Sequence, residues 1–417
     1  MARFFILFYH VKKTLDKNNK IIYTNTIMQL PIQLETIIEK LKNIKLPFSK
    51  PKEVLGIDIG NYSVKMVQMK LSGGKWILEK YAEEVIANPD QAETTPIEKK
   101  QLAVDAIKKI INEQKITAKD AITSVSGSSV IVRYVKFPKL TQEQLSKTIQ
   151  FEAEPFIPFP IQDVNISFQI LDDVMEDGTQ KMETILVAAK KEIIQNKIDI
   201  LMEAELIPIV VDVDSFALEN SISVNASEEE LKNIYLVINC GTATTNISII
   251  ENGTSRVVRD VFVASSSFTK AIQRNFQIGW KQSEEKKLKS AIFVTPEEKE
   301  KALSEGNDEA LQLSTILISP ARELVAECQR SIDFYQTQSL TEKTIDKVYL
   351  CGSGGLLKGL DKYIESQVHI PVEIYNPFSK IADDYVPVAG ASESNATKFT
   401  QYAVAVGLAT RKRGDIR

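Results

Sequence analysis

The sequence predicts an α/β chain built from two similar halves. Three observations predict it. A strand–turn–strand motif occurs at Leu55–Lys65 and again at Val237–Asn246, about 180 residues further on, and each copy heads a unit of three short strands. Amphipathic helical segments follow both units, the alternation expected of sheets covered by helices. The 417 residues suffice for two to three domains.

Ahead of the first copy, residues 1–27 differ in character. They carry Arg3, Lys12, Lys13, Lys17 and Lys20 against Asp16 alone, so of the formal −4 of the chain, residues 28–417 hold −8. The apolar run Phe4–Tyr9 is too short for a membrane span, and no small-residue cleavage site follows it. Met28 is expected to be the native start, with 1–27 an extension of the gene. Leu34, Ile37, Ile38, Leu41 and Ile44 then share one face of a predicted helix over Gln33–Lys45, before Pro47 and Pro51.

Val54–Ile59 and Val64–Lys70 flank the turn Gly60-Asn61-Tyr62-Ser63 and read as a hairpin; Trp76–Val85 is a third strand. Leu102–Glu113 reads as a helix and Asp120–Ser126 as a strand. Thr141 and Gln144 make a capping box for a helix to about Glu152, ended by Pro155, Pro158 and Pro160. Strands at Val164–Leu171 and Glu183–Ala189 bracket an Asp177-Gly178 turn. A helix at Lys191–Leu206 and a strand at Ile209–Val213 follow. The second half restarts with strands at Ile234–Asn239, Asn246–Ile250 and Arg256–Val263. A helical stretch from Thr269 to about Gln336 is expected, interrupted by a charged, poorly patterned segment at 281–310. Val348–Cys351, a glycine turn, a helix at Leu356–Ser366 and a small-residue helix at Thr400–Ala409 complete the unit. The tail from Arg411 is expected to be solvated.

Composition excludes several chemistries. Two histidines and three cysteines, with no CxxC spacing, argue against a zinc cluster, a histidine-rich metal site or a Ser-His-Asp triad, which need residues this chain barely has. Cys240, Cys328 and Cys351 read as reduced, buried thiols. A net charge of −4 offers no general attraction to nucleic acid.

The repeated turn carries the chemistry. Asp58, Gly60, Asn61, Ser63 and Lys65 in the first copy, and Asn239, Gly241, Thr242, Thr244 and Thr245 in the second, combine a small polar residue at a strand end with glycine and hydroxyls. Such a turn directs successive backbone N–H groups into one concavity suited to phosphate oxygens. Asp58 could hold Mg²⁺ through waters. A third element, Gly352-Ser353-Gly354-Gly355, follows a strand. It is not a dinucleotide fingerprint, because Leu357 stands where the third glycine would be, and no Walker A sequence occurs.

These three elements resemble the phosphate-1, phosphate-2 and adenosine motifs of the actin/Hsp70/sugar-kinase superfamily, and Tyr402–Ala409 resembles its second connecting helix. Phe137-Pro138-Lys139-Leu140, Ile149–Pro160 and Val211–Leu218 closely resemble the type IV pilus assembly protein PilM family, over roughly residues 52–410. The resemblance implies a two-lobed actin-like fold of ribonuclease-H-like repeats, similar to FtsA, with an inserted SHS2 subdomain. It implies an extension and helix over 1–51, first-lobe segments at 52–130 and 208–232, and the SHS2 subdomain 1C at 131–207. The second lobe would span 233–264 and 346–398, around a helical subdomain 2B at 265–345, with the last helix and tail at 399–417. ATP with Mg²⁺ would sit between the lobes. The chain would be cytoplasmic, held at the inner face of the inner membrane by the N-terminal peptide of a PilN-like membrane protein, in contact with the pilus platform and its motor ATPases, and able to self-associate. Phe151, Ile157, Pro158 and Phe159 are the expected peptide groove.

Three departures lie in the second lobe. Asn239 stands where the family has Asp, Ser265–Ser267 where it has a Gly pair, and Lys286-Lys287-Leu288-Lys289 where it has Glu-x-x-Lys, leaving Lys289 as the ribose contact. Weakened nucleotide binding and a scaffold without dependence on hydrolysis are therefore expected, and Asn239→Asp should raise affinity if the lost carboxylate is the cause. An active ATPase or kinase and an FtsA-like filament protein are the alternatives.

Overall fold

The computed structural model of the protein describes residues 11–15, 21–25, 53–87, 95–176, 178–338, 343–383 and 397–411. The expected helix Gln33–Lys45, Met28, Phe4–Tyr9 and the tail beyond Arg411 lie outside the described residues. Within 1–27, β1 (Val11–Leu15) and β2 (Ile21–Asn25) pair antiparallel.

Both large sheets follow one plan. In the first, β3 (Val54–Ile59), β4 (Ser63–Ser72) and β5 (Lys75–Val85) form an antiparallel meander. After helix α1 (Pro96–Glu113), β6 (Asp120–Val125) returns parallel to β3, and β10 (Ile207–Val213) lies parallel to β6. In the second, β11 (Ile234–Cys240), β12 (Thr245–Glu251) and β13 (Thr254–Val261) form the meander. There β14 (Lys347–Cys351) and β15 (Val372–Ile374) add in parallel. The order β5-β4-β3-β6-β10 thus matches β13-β12-β11-β14-β15, with β16 (Ala382–Asp383) beside β5. The duplicated motif read from sequence is the central hairpin of each sheet.

Between β6 and β10 the chain leaves to build a third sheet, of order β7-β9-β8, from β7 (Val130–Pro138), β8 (Val164–Glu176) and β9 (Thr179–Lys190). Helix α2 (Gln142–Ala153) covers one face. Its start is the predicted capping box: Gln144 N–H donates to Thr141 Oγ1, and Thr141 N–H to Gln144 Oε1. Leu145, Ile149 and Ala153 bury against Val135, Phe137 and Met182. Helix α3 (Lys191–Glu203) runs on from β9 and has two partners. Ile194 and Ile198 pack with Val130, Val132 and Val187 of the inserted sheet, while Ile200 and Leu201 enter the first-lobe core with Ile107 and Leu55.

Helix α4 (Asp214–Asn225) and helix α10 (Ala403–Ala409) run between the sheets. Their Ala217, Leu218, Val404 and Leu408 share one core with Ile122 and Val210 of the first lobe and Tyr235 and Val237 of the second. The second lobe is completed by α5 (Ser265–Phe276), α6 (Trp280–Lys289), α7 (Pro296–Ser304) and α8 (Asp308–Thr337), and by α9 (Leu360–Val368) beside β15.

Several sequence expectations need correction. The segment 281–310 is largely helical: α6 and α7 lie there, and charge obscured them because each buries only one or two side chains. The glycine turn opens a 3₁₀ turn at Ser353–Leu356, and the following helix starts at Leu360 after Gly359, whose φ of +80° ends continuous helix. The strand β7 and helix α4 went unread. In α4, Ser215, Phe216, Ala217, Leu218 and Glu219 are all buried, so no amphipathic stripe exists to be seen. Arg411 is not solvated. It is 4% exposed, and its guanidinium holds the buried Asp212 carboxylate at 2.6 and 2.7 Å. The three cysteines are free and buried, as expected.

One buried carboxylate joins three parts of the fold. Glu219 of α4 accepts the Ser255 N–H of β13 at 2.8 Å, and the Tyr134 hydroxyl of β7 donates to the Ser255 carbonyl. Burial pushes the Glu219 carboxyl up to about 7, against the opposing pull of its Ser255 hydrogen bonding. The folded state therefore holds this proton more tightly than the unfolded chain, whose value is near 4.5. Its contribution is full below pH 4.5 and is lost as pH rises through about 7. In Glu219→Gln the loss of stability between pH 5 and pH 8 should shrink by on the order of 3 kcal/mol, read by urea unfolding at both pH values. An unchanged pH profile would assign the dependence to another group.

Candidate functional site

The two central hairpins face each other across a cleft. Each closes the same way: Gly60 N–H donates to the Ser63 carbonyl and Gly241 N–H to the Thr244 carbonyl, both at 3.1 Å. Between them lies a cavity of about 390 Å³, lined among others by Asp58, Gly60, Asn61, Lys65, Asn239, Gly241, Thr242, Thr244, Gly352 and Ser353. A second cavity, of about 290 Å³, adjoins it through Tyr62, Thr242, Ser353 and Gln401. Its walls include Phe268, Trp280, Leu356 and Leu357, with Glu284 and Lys287 at one side. A polar chamber rich in backbone N–H groups leading into an apolar one suits a ligand with a phosphate end and a flat apolar end.

The glycines keep this space open. A Cβ at Gly352, where φ is +84°, would stand 2.4 Å from the Cys240 carbonyl and 2.7 Å from Asn239 Oδ1. The third loop can therefore approach the second hairpin only as glycine. Gly354 lines the second cavity, whereas Gly355 packs on Leu350 and lines neither.

Not every predicted residue reaches the cleft. Ser63 is 1% exposed; its hydroxyl donates to Glu83 at 2.6 Å and accepts from Lys65 at 2.9 Å, so it orients the lysine instead of meeting a ligand. Thr245 is buried and donates to the Val263 carbonyl at 2.7 Å. Lys289 is exposed and lines neither cavity. The Glu-x-x-Lys pattern sits two residues earlier, as Glu284-x-x-Lys287 on α6. Lys287 Nζ donates to Ser265 Oγ at 2.7 Å and Thr269 Oγ1 at 3.1 Å and pairs with Glu284 at 2.7 Å. The spacing was present in the sequence; only the register was misread.

Asn239 gains a physical account. Register pairs Asp58 with Lys65 in the first hairpin and Asn239 with Asn246 in the second. An acid–base pair in one lobe is thus matched by an amide pair in the other. Asn239 Nδ2 donates to Asn246 Oδ1 at 2.8 Å, Asn246 Nδ2 donates to Asp260 Oδ1 at 2.8 Å, and Asp260 Oδ2 accepts the Gly127 N–H from the loop before β7.

Sequence reasoning missed the segment 124–129 at the end of β6, Asp214 and Lys197, all on the first cavity wall. Asp214 begins α4, and Lys197 comes from α3, where its Nζ donates to the Ile59 carbonyl at 2.6 Å. Burial pushes Asp58 up, opposed by Lys65 and Lys197 and reinforced by Asp214. Burial lowers Lys197, opposed by Asp214 and Asp58. No local signal marks either residue, because α3 and α4 are separate helices that meet in a core shared with both the first-lobe and the inserted sheet.

The proposed peptide set divides. Phe151 on α2 is 78% exposed and Pro158 is exposed, but Ile157 is 7% exposed inside the subdomain core, so it supports the fold and is corrected out of the groove. Phe159 is half-buried against the same core, with the Lys190 ammonium 4.9 Å above its ring. Phe156, not singled out from sequence, is 40% exposed.

Two sheets of matching topology, facing hairpins with equivalent turns and a shared pair of helices between them define an actin-like fold with an inserted three-stranded subdomain. Residues 56–413 match the sequence model of the family described as type IV pilus assembly protein PilM, and the chain belongs to that family. Among solved structures, a chain of a PilM–PilN type IV pilus biogenesis complex is 26% identical, with a TM-score of 0.70, over 86% of this chain and 98% of that one. MreB5 of Spiroplasma citri bound to AMPPNP is 12% identical, with a TM-score of 0.48, over 86% and 95%. The ethanolamine utilization protein EutJ from Carboxydothermus hydrogenoformans is 11% identical, with a TM-score of 0.47, over 90% and 97%.

Two outcomes are expected. Lys287→Ala should weaken binding of a fluorescent ATP analogue by roughly tenfold or more, while Lys289→Ala leaves it unchanged; equal effects would return Lys289 to the site. Asn239→Asp should lower stability to urea by about 1–3 kcal/mol. A carboxylate there either faces the Asn246 oxygen or turns that amide and sets its oxygen against Asp260. A gain in stability would overturn the amide-pair account.

Proposed function

We propose that the chain is an adaptor of the type IV pilus assembly platform that binds a PilN-like membrane protein and holds a nucleotide as a structural or regulatory ligand. The observation that carries this reading is family membership over residues 56–413, with a likeness of TM-score 0.70 to a chain of a PilM–PilN complex. Among the described residues no helix is long and apolar enough to cross a membrane, so attachment through a partner fits the molecule. In this reading the protein works in the cytoplasm at the inner face of the inner membrane. It meets the platform, and through it the motor ATPases, by way of the N-terminal peptide of the PilN-like protein.

The peptide surface is assigned to the SHS2 subdomain around Phe151, Phe156, Pro158 and the exposed part of Phe159. Exposed aromatic side chains on a small rigid scaffold are the type of anchor that peptide recognition uses. Asp58, Lys65, both glycine turns and Lys287 suit Mg²⁺-ATP: backbone N–H groups and ammonium groups for the phosphates, Asp58 for hydrated Mg²⁺, and the apolar chamber for the base. The group would supply negative charge and binding energy between the lobes. The intact Glu284-x-x-Lys287 pair favours nucleotide binding more than the sequence departures suggested. Hydrolysis is the second reading, supported by the Asp58 and Asp214 carboxylates on one cavity wall.

Fluorescence anisotropy with the N-terminal peptide of a PilN-like protein from the same genome tests the adaptor. Phe151→Ala should weaken binding roughly tenfold without moving the thermal melt, whereas Ile157→Ala, and to a smaller extent Phe156→Ala, whose ring meets the buried Phe137 edge-on, should lower the melt. Absence of peptide binding by the wild-type chain would sink the reading.

A further inference from the structure

We propose that Lys197 is a phosphate-binding residue through which the inserted subdomain takes part in the cleft, so that a phosphate-bearing ligand in the first cavity and the seating of the inserted sheet on the first lobe are coupled. The proposal rests on the nucleotide reading of the cleft and adds to it a residue and a consequence.

Four observations carry it. First, Lys197 is part-buried and lines the 390 Å³ cavity that also holds both glycine turns, with its ammonium on the carbonyl of Ile59, itself a lining residue. Second, its bonding is incomplete. An ammonium has three donors; among the described residues the Ile59 carbonyl, at 2.6 Å, is its hydrogen-bond partner, and no carboxylate lies within ion-pair distance. By contrast, Lys65 already donates to Ser63 at 2.9 Å and approaches Glu83. Third, a cation drawn out of water without a paired carboxylate is costly, and burial lowers its hold on a proton. Phosphate oxygens in the same cavity would remove that penalty by supplying charge and acceptors. Asp214 and Asp58 oppose that lowering at longer range.

The fourth observation is where the residue is mounted. Ile193, Asn196 and Lys197 of α3 line the cavity together. The same helix sends Ile194 and Ile198 into the core it shares with the inserted sheet, and Ile200 and Leu201 into the first-lobe core. It is continuous with β9, the central strand of that sheet. A force on Lys197 therefore acts on a helix packed against both bodies, while the Ile59 carbonyl ties the same ammonium to the first phosphate turn. Ligand and subdomain seating bias one element, which is the physical requirement for coupling.

The experiment compares wild type, Lys197→Met and Lys197→Arg with three probes: adenosine, Mg²⁺-ATP and inorganic tripolyphosphate. Binding is read by calorimetry, and seating by hydrogen exchange of residues 164–190 with and without ATP. Lys197→Met should bind ATP roughly ten- to a hundredfold more weakly, lose thermal protection by tripolyphosphate and keep its adenosine affinity, which also shows that it folds. Lys197→Arg should recover most of the loss. ATP should slow exchange in residues 164–190 of the wild type and not of Lys197→Met. Unchanged ATP affinity in Lys197→Met, with wild-type binding intact, would overturn the assignment of Lys197 alone. Weakened affinity with no ATP effect on exchange in the wild type would overturn the coupling. Failure of wild type to bind ATP, adenosine and tripolyphosphate would overturn the nucleotide reading itself, and Lys197 with it.

Discussion

At Gly407 the backbone of α10 comes so near α4 that a Cβ would stand 1.7 Å from the Ala217 carbonyl oxygen. The other side of α10 is as close to β3, where a Cβ at Gly56 would meet the Ala405 carbonyl at 2.2 Å. These contacts hold the two helices against the first-lobe sheet at nearly backbone distance, with Ala217, Ala403 and Ala405 adding little bulk. The second-lobe sheet packs on the same helices through Tyr235, Val237 and Cys351. Both hairpin turns consequently open into one cleft. The small-residue run Ala403–Ala409, which could pass for a low-information tail, sets the separation on which the cavity depends.

Within that frame the lobes are alike in topology and unlike in charge. The first hairpin presents Asp58 and Lys65, and Lys197 and Asp214 stand around them. The second presents Asn239 and Asn246, a neutral pair whose hydrogen bonds end on Asp260 and the loop at Gly127. A carboxylate at position 239 would have to compete with Asp260 for one amide. The departure from the family pattern therefore belongs to a network linking the second lobe to the loop that starts the inserted subdomain. The Glu219–Ser255–Tyr134 contact links the same parts by another route. Cleft, subdomain and second lobe meet repeatedly along β13.

Much of this was legible in advance where the cause is local. The capping box Thr141/Gln144 and the two hairpin turns at Gly60 and Gly241 depend on neighbours in the chain, and they appear as read; α1 was read only from Leu102, six residues after its start. Burial on every side hid α4, because an all-buried helix has no polar face. Charge hid α6 and α7. The Glu-x-x-Lys spacing was legible but misregistered: helical geometry turns Lys287, two residues before Lys289, toward Ser265 and Thr269.

By itself, the sequence determined the duplicated strand–turn–strand plan, the family, and the turns where glycine is required, since each rests on backbone preferences and short-range spacing. Only the tertiary structure decided which polar groups meet. Lys197 and Asp214 come from different helices and Asp58 from a strand far earlier in the chain. Arg411, read as a solvated tail, closes on the buried Asp212. Ser63 and Thr245 spend their hydroxyls on Glu83 and Val263. The physical reason is the same in each case. A polar side chain drawn out of water takes the partner that packing brings within reach, and that partner is set by how sheets and helices stack, not by proximity in sequence.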